Sequence, residues 1–283
     1  MTTYLLPFEK MHGLGNDFII LERRHMPRDV DDKKLAVQLC NRNFGIGADG
    51  LIIVDFSSSG KTDFDWDYYN SDGSIAEMCG NGIRCFAKYV YERGLTDNHT
   101  FTVMTGAGVI KPALESDGTV TVNMGQASFT APKKLVIEGK SIDYTYVEVG
   151  NPHCVIFMDY EISDDEFYRL GPKIEKHSTF PKGVNVEFVK IVNKNEIKCR
   201  VWERGVGATL ACGTGACATL VAASIGNYVS DSILVWLPGG GLKVFWNKDT
   251  KIVDLNGPAS FVYTGQYCLE PKSVCFSNKL NIK

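Results

Sequence analysis

Short runs of branched and aromatic residues, separated by turn residues, dominate this chain and predict a protein built mainly from β-strands. An Asp-Gly pair at 117–118 predicts a hairpin turn, and the Pro-Gly-Gly-Gly stretch at 238–241 predicts a second turn. The predicted strands cover residues 18–21, 51–56, 64–69, 101–104, 119–124, 144–149, 154–158, 184–189, 197–202 and 233–237. Few helical patterns interrupt them.

Helical spacing of apolar residues is confined to a few segments. Two of these cover residues 32–40 and 164–170. Two others, 83–94 and 216–226, each end at a glycine, which is typical of a helix C-terminus. Because the last two segments are too apolar for a surface, each is predicted to be a central helix wrapped by the strands of one domain.

The same short phrase precedes both central helices. Residues 78–82 read Met-Cys-Gly-Asn-Gly and residues 211–215 read Ala-Cys-Gly-Thr-Gly, which places Cys79 and Cys212 133 positions apart. Each phrase is a glycine-rich turn that leads directly into a helix, with a thiol at the helix start.

Further matches extend the repeat beyond the cysteines. A Gly-Asn pair ends at Asn16 and again at Asn151, 135 positions later. Asn70 and Glu203 each end a predicted strand nine positions before the respective cysteine. A repeat of this length is too long for a solenoid and indicates two copies of one domain.

The predicted fold is therefore α/β (α+β), with two pseudo-symmetric domains. Each is expected to be a strongly curved, mainly antiparallel sheet around its central helix, with the active site in the cleft between the domains. We place the domains at 1–127, with Cys79, and 128–283, with Cys212, and leave open whether the last strand crosses back to the first domain.

The composition limits the kinds of function that the chain is expected to have. With 44% hydrophobic and 22% charged residues, a net charge of −3 and no basic run, the chain resembles a soluble globular protein. These features give no reason to expect binding to nucleic acid or to a membrane. Because no signal-like or membrane-spanning apolar segment is present, the expected location is cytoplasmic.

The cysteines do not form a pattern typical of disulfides or metal sites. Nine is an odd number, and they are spread along the chain, so most are expected to be reduced and buried. Cys79 is followed by Cys85 and Cys212 by Cys217, neither at the spacing of a structural zinc knuckle. We therefore predict no metal.

A thiol at a helix N-terminus lies at the positive end of the helix dipole, which favours the thiolate. The glycines beside it let backbone N–H groups approach a carboxylate. Two such turns predict a two-base racemase or epimerase, in which one thiolate removes an α-proton and the opposite thiol delivers another. The alternative interpretation is a pair of buried cysteines at glycine-rich helix starts. A cysteine protease needs only one such thiol, and a thiol oxidoreductase more often shows Cys-x-x-Cys.

The chain resembles the diaminopimelate epimerase family. The shared motifs appear in the family's order at 12–18 (His-Gly-Leu-Gly-Asn-Asp-Phe), 70–73 (Asn-Ser-Asp-Gly), 78–85 (Met-Cys-Gly-Asn-Gly-Ile-Arg-Cys), 150–154 (Gly-Asn-Pro-His-Cys), 183–185 (Gly-Val-Asn), 203–205 (Glu-Arg-Gly) and 211–215. The resemblance implies a cofactor-independent enzyme that interconverts LL- and meso-diaminopimelate, on the route to lysine and peptidoglycan. It also implies two similar domains that close on the substrate and, usually, a homodimer.

The resemblance assigns roles residue by residue. Cys79 and Cys212 are implied to be the two bases, with His153 and Glu203 supporting the proton transfers. The groups implied to hold the substrate are the side chains of Asn16, Asn70, Asn151, Asn185, Glu203 and Arg204 and the backbone N–H groups of Gly80, Asn81, Gly213 and Thr214.

The chemistry of these residue types suits a substrate with an amino-acid group at each end. Arg204 offers a bidentate fork for the distal carboxylate, and an asparagine can both accept from ammonium and donate to carboxylate. Each also has a purely structural alternative. The asparagines are common in turns, His153 could make a structural hydrogen bond, and Glu203 with Arg204 could form a simple surface pair.

Two departures from the family pattern leave the substrate preference open. Ala208 stands where many relatives carry Glu, and Gly50 stands where some carry Gln. The nearest rival function is a two-thiol racemase of another amino acid, such as histidine or proline, although proline racemases generally have histidine where Asn81 stands. Phenazine-biosynthesis isomerases share the architecture but lack the cysteine pair. A non-catalytic amino-acid-binding protein would keep the polar residues around the ligand but would have no need of both thiols.

Overall fold

A computed structural model of the chain describes residues 3–270. The helices are α1 Asp32–Cys40, α2 Gly80–Glu92, α3 Asp164–Glu175 and α4 Gly213–Ile225, with a short 3-10 turn at Arg23–His25. The strands are β1 Tyr4–Gly13, β2 Asn16–Glu22, β3 Gly50–Phe56, β4 Phe64–Asn70, β5 Val103–Thr105, β6 Gly108–Ile110, β7 Ala113–Leu114, β8 Val120–Gln126, β9 Ser128–Phe129, β10 Lys133–Ile137, β11 Lys140–Glu148, β12 Pro152–Met158, β13 Asn185–Asn193, β14 Glu196–Glu203, β15 Gly207–Ala208, β16 Ser232–Leu237, β17 Gly240–Trp246, β18 Ile252–Gly257 and β19 Ser260–Leu269. Within this described part of the chain, no helix is long and apolar enough to cross a membrane.

Two compact units share the described chain, the first formed by residues 3–120 and 259–270 and the second by 121–258. In the first unit, the strands lie in the order β19-β1-β2-β3-β4-β5-β6. Because side chains alternate between the faces of a strand, β3 sends Leu51 and Ile53 towards α1 and Ile52 towards α2. The sheet is therefore covered by a helix on each face.

The second unit repeats this plan. Its strands lie in the order β10-β11-β12-β13-β14-β16-β17-β18-β8. Helix α3 covers one face, where Phe167, Leu170 and Ile174 join a buried cluster with side chains of β12 and β13. Helix α4 packs against strands from β11 to β18, so the sheet curves around it. Residues 213–224 of α4 are almost all buried, as expected for a central helix.

The strand directions confirm that the two units are copies of one arrangement. From β1 to β6, successive neighbours pair antiparallel, parallel, antiparallel, parallel and antiparallel. The second unit repeats this sequence of directions along β11, β12, β13, β14, β16 and β17. Both sheets are mainly antiparallel, as predicted.

Local predictions succeeded where the apolar pattern was strong. The helix predicted at 32–40 is α1, whereas the helix predicted at 164–170 continues to Glu175 through Pro172. The strand predicted at 101–104 begins only at Val103. Strands β1 and β19 were not predicted, because β1 contains Pro7 and two charged residues and β19 is rich in polar residues.

Buried thiols give the folded state a defined pH dependence. Burial raises the pKa of Cys40 and of Cys85 to about 12, and burial also raises the pKa of Cys154, Cys199 and Cys212 above the ordinary value. The thiol of a cysteine in the unfolded chain has a pKa of about 8.5. Between that pH and about 12 the folded state therefore holds protons that the unfolded state has lost.

We therefore expect the free energy of unfolding to be insensitive to these thiols below about pH 8.5 and to fall as the pH rises above it. Each buried thiol should lower the folding equilibrium constant roughly tenfold per pH unit in that range. Denaturant unfolding under reducing conditions at several alkaline pH values measures the slope. Cys85→Ala should reduce the slope by the contribution of one thiol. An unchanged slope would contradict the conclusion that burial raises the pKa of Cys85.

Candidate active site

Cys79 is the N-cap residue of α2. Its backbone is extended (φ −142°, ψ 120°), and its Sγ accepts a hydrogen bond from the N–H of Gly82 at 3.4 Å. Gly82 is required by the packing, since a Cβ there would lie 2.9 Å from Cη2 of Trp66. The N–H groups of Gly80 and Asn81 belong to the first turn of this helix, whose N–H groups point outward along its axis. The turn thus combines a thiol with a site for an anion.

Two asparagines lie at the Cys79 turn, and one of them contacts the thiol. Oδ1 of Asn16 lies 3.7 Å from Sγ of Cys79 and accepts a hydrogen bond from Nδ2 of Asn81 at 3.1 Å. Asn81 is buried, and its own Oδ1 accepts from Nη2 of Arg84 at 3.0 Å. Arg84 is completely buried and also donates to the backbone oxygen of Gly80 at 3.0 Å. These contacts fix the start of α2 and present an oxygen acceptor to the sulfur.

A charged network behind Asn16 holds its amide group in this orientation. Nδ2 of Asn16 donates to Oδ2 of Asp49 at 2.8 Å. Arg42 forms ion pairs with both Asp17 and Asp49, and Lys10 pairs with Asp17 at 2.7 Å. Burial raises the pKa of Asp17, but hydrogen bonds from Arg42 and Lys10 outweigh burial and hold the pKa well below its usual range. The network was not predicted, because its members are far apart in sequence and carry no local motif.

Asn70 lies at the end of β4, as the repeat predicted for the residue nine positions before the cysteine. Its Nδ2 donates to Oγ of Ser74 at 2.9 Å, and its backbone N–H donates to the backbone oxygen of Ser74. These bonds close the turn at 70–74. These hydrogen bonds of Asn70 are thus those of a turn, and a role in substrate binding stays a prediction.

Cys212 is the N-cap of α4 with the same geometry as Cys79. Its Sγ accepts from the N–H of Gly215 at 3.3 Å and lies 3.5 Å from Oγ1 of Thr214. The residue is 5% exposed. Burial raises the pKa of the Cys212 thiol well above its ordinary value, and the nearby Glu203 carboxylate raises the pKa further. The protonated form, which can donate a proton, is therefore favoured at this sulfur. Burial here outweighs the helix N-terminus, which was expected to favour the thiolate.

Glu203 ends β14, in the position that Asn70 has in the first unit. Its Oε1 accepts a hydrogen bond from Oγ1 of Thr209 at 2.6 Å. Strand β15 follows and pairs back on β14, with Ala208 opposite Trp202. Glu203 is thus held by the turn that follows it and faces the Cys212 thiol closely enough to act on its pKa.

Asn185 and Arg204 form a linked pair in the second unit. Nδ2 of Asn185 donates to the backbone oxygen of Pro152 at 2.9 Å, and its Oδ1 accepts from the backbone N–H of Arg204 at 2.9 Å. Gly183, with φ +73°, makes room for the Arg204 side chain, because a Cβ there would lie 3.0 Å from its Cγ. Arg204 and Asn151 line one cavity of about 600 Å³ in this unit.

His153 is fully buried and makes two short hydrogen bonds. Its Nε2 lies 2.7 Å from Oδ1 of Asn151, and its Nδ1 lies 2.7 Å from Oε1 of Glu187. Glu187 is also fully buried and was missed by sequence reasoning. The signal was present, since a carboxylate within the apolar strand run 184–189 needs a partner. Both ring nitrogens of His153 are thus engaged, and its support of proton transfer stays a prediction.

The two departures from the family pattern have different settings. At Gly50, a Cβ would lie 2.5 Å from Cε2 of Tyr68, so the tyrosine ring occupies the space that a larger residue would need. At Ala208, the residue lies exposed on β15. A larger residue at position 50 would therefore require Tyr68 to move. The structure shows no comparable constraint on the residue at position 208.

Within each unit the structure gathers residues that sequence reasoning selected. The first unit joins Asn16, Cys79 and Asn81 in one hydrogen-bonded cluster. The second joins Asn151 to His153 and places Glu203 near the Cys212 thiol. Each unit thus offers a thiol at a helix N-terminus, with hydrogen-bonding side chains from the strand ends. This arrangement can bind a carboxylate and exchange a proton with an adjacent carbon.

Solved structures with the same architecture include proteins of several activities. A phenazine biosynthesis protein of the PhzF family from Bacillus anthracis has a TM-score of 0.72 at 14% identity and covers 94% of this chain and 99% of its own. A hydroxyproline epimerase from Agrobacterium vitis has a TM-score of 0.71 at 16% identity and covers 96% of this chain and 95% of its own. At such identities these similarities show the fold alone.

Sequence relatives are closer. The family described as diaminopimelate epimerase matches residues 8–130 and 145–262. A diaminopimelate epimerase of Trichodesmium erythraeum is 42% identical over 273 residues, covering 91% of this chain and 98% of the relative. One from Heliobacterium modesticaldum is 43% identical over 281 residues, covering 92% and 99%. The chain belongs to the diaminopimelate epimerase family.

Proposed function

We propose that this protein interconverts LL-2,6-diaminopimelate and meso-diaminopimelate by a two-base mechanism without a cofactor. The observation that carries the proposal is the duplicated helix start, in which Cys79 and Cys212 cap α2 and α4 with the same sulfur-to-backbone hydrogen bond. A protein that only bound an amino acid would not need a thiol at either place. Family membership supplies the substrate.

In the proposed reaction, the two thiols act on opposite faces of one α-carbon. A thiolate takes the α-proton, the electron pair of the broken C–H bond passes into the carboxylate as an enediolate, and the opposite thiol gives its proton to the other face. The enzyme ends with the protonation states of the two sulfurs exchanged. Burial and the Glu203 carboxylate raise the pKa of the Cys212 thiol and so favour its protonated form, and we assign this thiol as the proton donor in the direction that starts with a thiolate at Cys79.

Backbone groups supply the charge stabilisation that this reaction needs. The first-turn N–H groups of Gly80 and Asn81 in α2, and of Gly213 and Thr214 in α4, are the proposed partners of the reacting carboxylate. Negative charge grows on that carboxylate as the proton leaves, so these dipoles favour the transition state.

The remaining side chains are proposed to hold the substrate. Arg204 would bind the distal carboxylate, helped by Asn151 and Asn185, while Asn16 and Asn70 serve the first unit. Glu203, which lies near the Cys212 thiol, would support the transfers there. The fixed orientation of Asn16, set by Asp49, supports this assignment, because a substrate-binding amide must not rotate freely.

Exchange with heavy water tests the function directly. Folded, reduced protein incubated with LL-diaminopimelate in deuterated water should form the meso isomer, with deuterium at the inverted α-carbon. Parallel incubations with proline and histidine test the rival racemase function. Exchange on either of these and none on diaminopimelate would replace the proposal, and no exchange on any of them would defeat it.

Assembly and cellular context are also proposed. Strand β19 lies at the edge of its sheet, and Tyr4, Leu5, Val262 and Tyr263 are exposed apolar residues on β1 and β19. An exposed, partly apolar edge favours a homodimer, which sedimentation can test. Function in lysine and peptidoglycan precursor synthesis, and a cytoplasmic location, suit an enzyme that needs two reduced thiols.

A further inference from the structure

The buried pair of His153 and Glu187 has no counterpart in the first unit. His153 lies on β12 and Glu187 on the parallel neighbour β13, and the residues 135 positions earlier are Phe18 on β2 and Ile52 on β3. Phe18 and Ile52 are both fully buried. One repeat therefore has an apolar pair where the other has an ionisable pair.

The spatial equivalence of Glu187 and Ile52 follows from their contacts with the cysteine turns. A Cβ placed at Gly82 would lie 3.3 Å from Cδ1 of Ile52, and a Cβ at Gly215 would lie 3.0 Å from Oε1 of Glu187. Both side chains thus lie directly behind the turn that carries the thiol. The first unit buries an isoleucine at this place, so the shared arrangement of strands and helix does not require a carboxyl here.

Burying this carboxyl is unfavourable. Neither His153 nor Glu187 is accessible to solvent, and Oε2 of Glu187 has no hydrogen-bond partner among residues 3–270. A buried ion pair commonly contributes less than apolar residues of the same volume. A second unit with the apolar pair would therefore fold at least as well, which indicates that the His153–Glu187 pair serves the site.

The hydrogen bonds of the pair indicate where its protons lie. Oδ1 of Asn151 accepts from Nε2 of His153, so that nitrogen carries a proton. Nδ1 of His153 shares a second proton with Oε1 of Glu187. Burial raises the pKa of Glu187, although the neighbouring His153 opposes this shift. The raised pKa favours a protonated carboxyl, which can donate a hydrogen bond to Nδ1 of His153. In either location of the shared proton, Nε2 remains a donor.

We propose that Glu187 is a positioning residue that keeps the proton on Nε2 of His153 and, through it, fixes the amide of Asn151. With Oδ1 of Asn151 engaged by the ring, its Nδ2 is left as the group that can donate to a ligand carboxylate. Asn151 lines the same cavity as Arg204, so the two would bind one carboxylate together. Only the identity of that ligand rests on the proposed function.

Glu187→Ile, which introduces the residue of the first unit, and Glu187→Gln separate this role from others. In Glu187→Ile the ring can carry its proton on Nδ1, the Asn151 amide can rotate, and substrate binding weakens. We expect KM to rise at least tenfold and kcat to change less than threefold, since ground state and transition state lose the same contact. In Glu187→Gln the side-chain amide can donate to Nδ1, so KM should stay within threefold of the wild type. A matched control is Glu22→Gln, which removes another buried carboxyl, one that accepts from Tyr89, and should leave both constants unchanged.

A readout independent of activity is the imidazole ¹⁵N spectrum of His153. Wild type and Glu187→Gln should both show a proton on Nε2 across neutral pH. A proton on Nδ1 alone in Glu187→Gln would overturn the proposal even if Glu187→Ile does not fold. A lower kcat with an unchanged KM in Glu187→Ile would also overturn it, because that result indicates a role in proton transfer or folding. If the wild type failed to epimerise diaminopimelate, the spectrum would still report the proton position.

Discussion

Replacing either Cys79 or Cys212 by alanine is expected to abolish epimerisation, with each rate falling by at least about a thousandfold, as for the loss of a general acid or base. The two thiols have separate tasks, so neither can substitute for the other. Each helix begins at a cysteine whose sulfur accepts the same kind of hydrogen bond from the backbone. We therefore expect both thiols to be needed for the reaction. The measurement is the initial rate of meso product formation.

The chain offers matched controls in the same two helices. Cys85 lies in α2 and Cys217 in α4, both fully buried and both one or two turns beyond the capping cysteine. Cys85→Ala and Cys217→Ala should change stability but keep the catalytic rate within a few-fold. If either control lost as much activity as the capping variants, the loss could not be assigned to proton transfer.

Deuterium exchange in the capping variants adds a second test. With one thiol removed, the thiolate form of the other can still take the α-proton from one face. Once that S–H has exchanged with the deuterated solvent, the sulfur can return a deuteron to the same face. Each variant should therefore exchange one epimer without inverting it, and the two variants should prefer opposite epimers. Exchange of both epimers by a single variant would show that one base serves both faces and would falsify the two-base assignment.

Arg204→Lys is expected to lower kcat/KM by about a hundredfold, consistent with losing a charge-assisted, bidentate pair. Arginine is held here by more than its charge. Its backbone N–H donates to Oδ1 of Asn185, and the aliphatic part of its side chain lies against Gly183. These contacts fix the position from which the guanidinium extends. Lysine keeps the charge but presents a single donor group that cannot match both oxygens of a carboxylate.

Steady-state kinetics on diaminopimelate, with Arg200→Lys as the control, will test this expectation. Arg200 lies on β14, four residues before Arg204, but it pairs with Asp164 and lies 4.0 Å from the centre of the Phe167 ring, on the face covered by α3. The control should lose stability only. Equal losses in the two variants would mean that Arg204 acts through folding and not by binding the substrate.

The sequence was informative where the repeat and the local chemistry coincide. Both cysteines are at helix N-caps, and Asn70 and Glu203 both end strands, because short-range patterns determine caps and strand ends. The family resemblance added the expected catalytic and substrate-binding roles of these residues.

What the sequence could not supply depends on pairing between distant strands. Glu187 meets His153 only because β12 and β13 run side by side, and Asp49 meets Asn16 only because β2 and β3 do. Strand β19 joins β1 across almost the entire length of the chain. No local window contains these partners, so propensity and periodicity could not reveal them.

The return of the chain to β1 affects how the first unit can be made. Tyr267 and Leu269 of β19 pack into the same apolar cluster as Leu6 and Phe8 of β1. During synthesis, the earlier strands of this unit emerge long before the segment that completes their sheet, at a rate of roughly 5–20 residues per second. The second unit, made from one continuous segment, has all of its strands before then. Although the two units are copies in structure, the one translated first is therefore the one completed last.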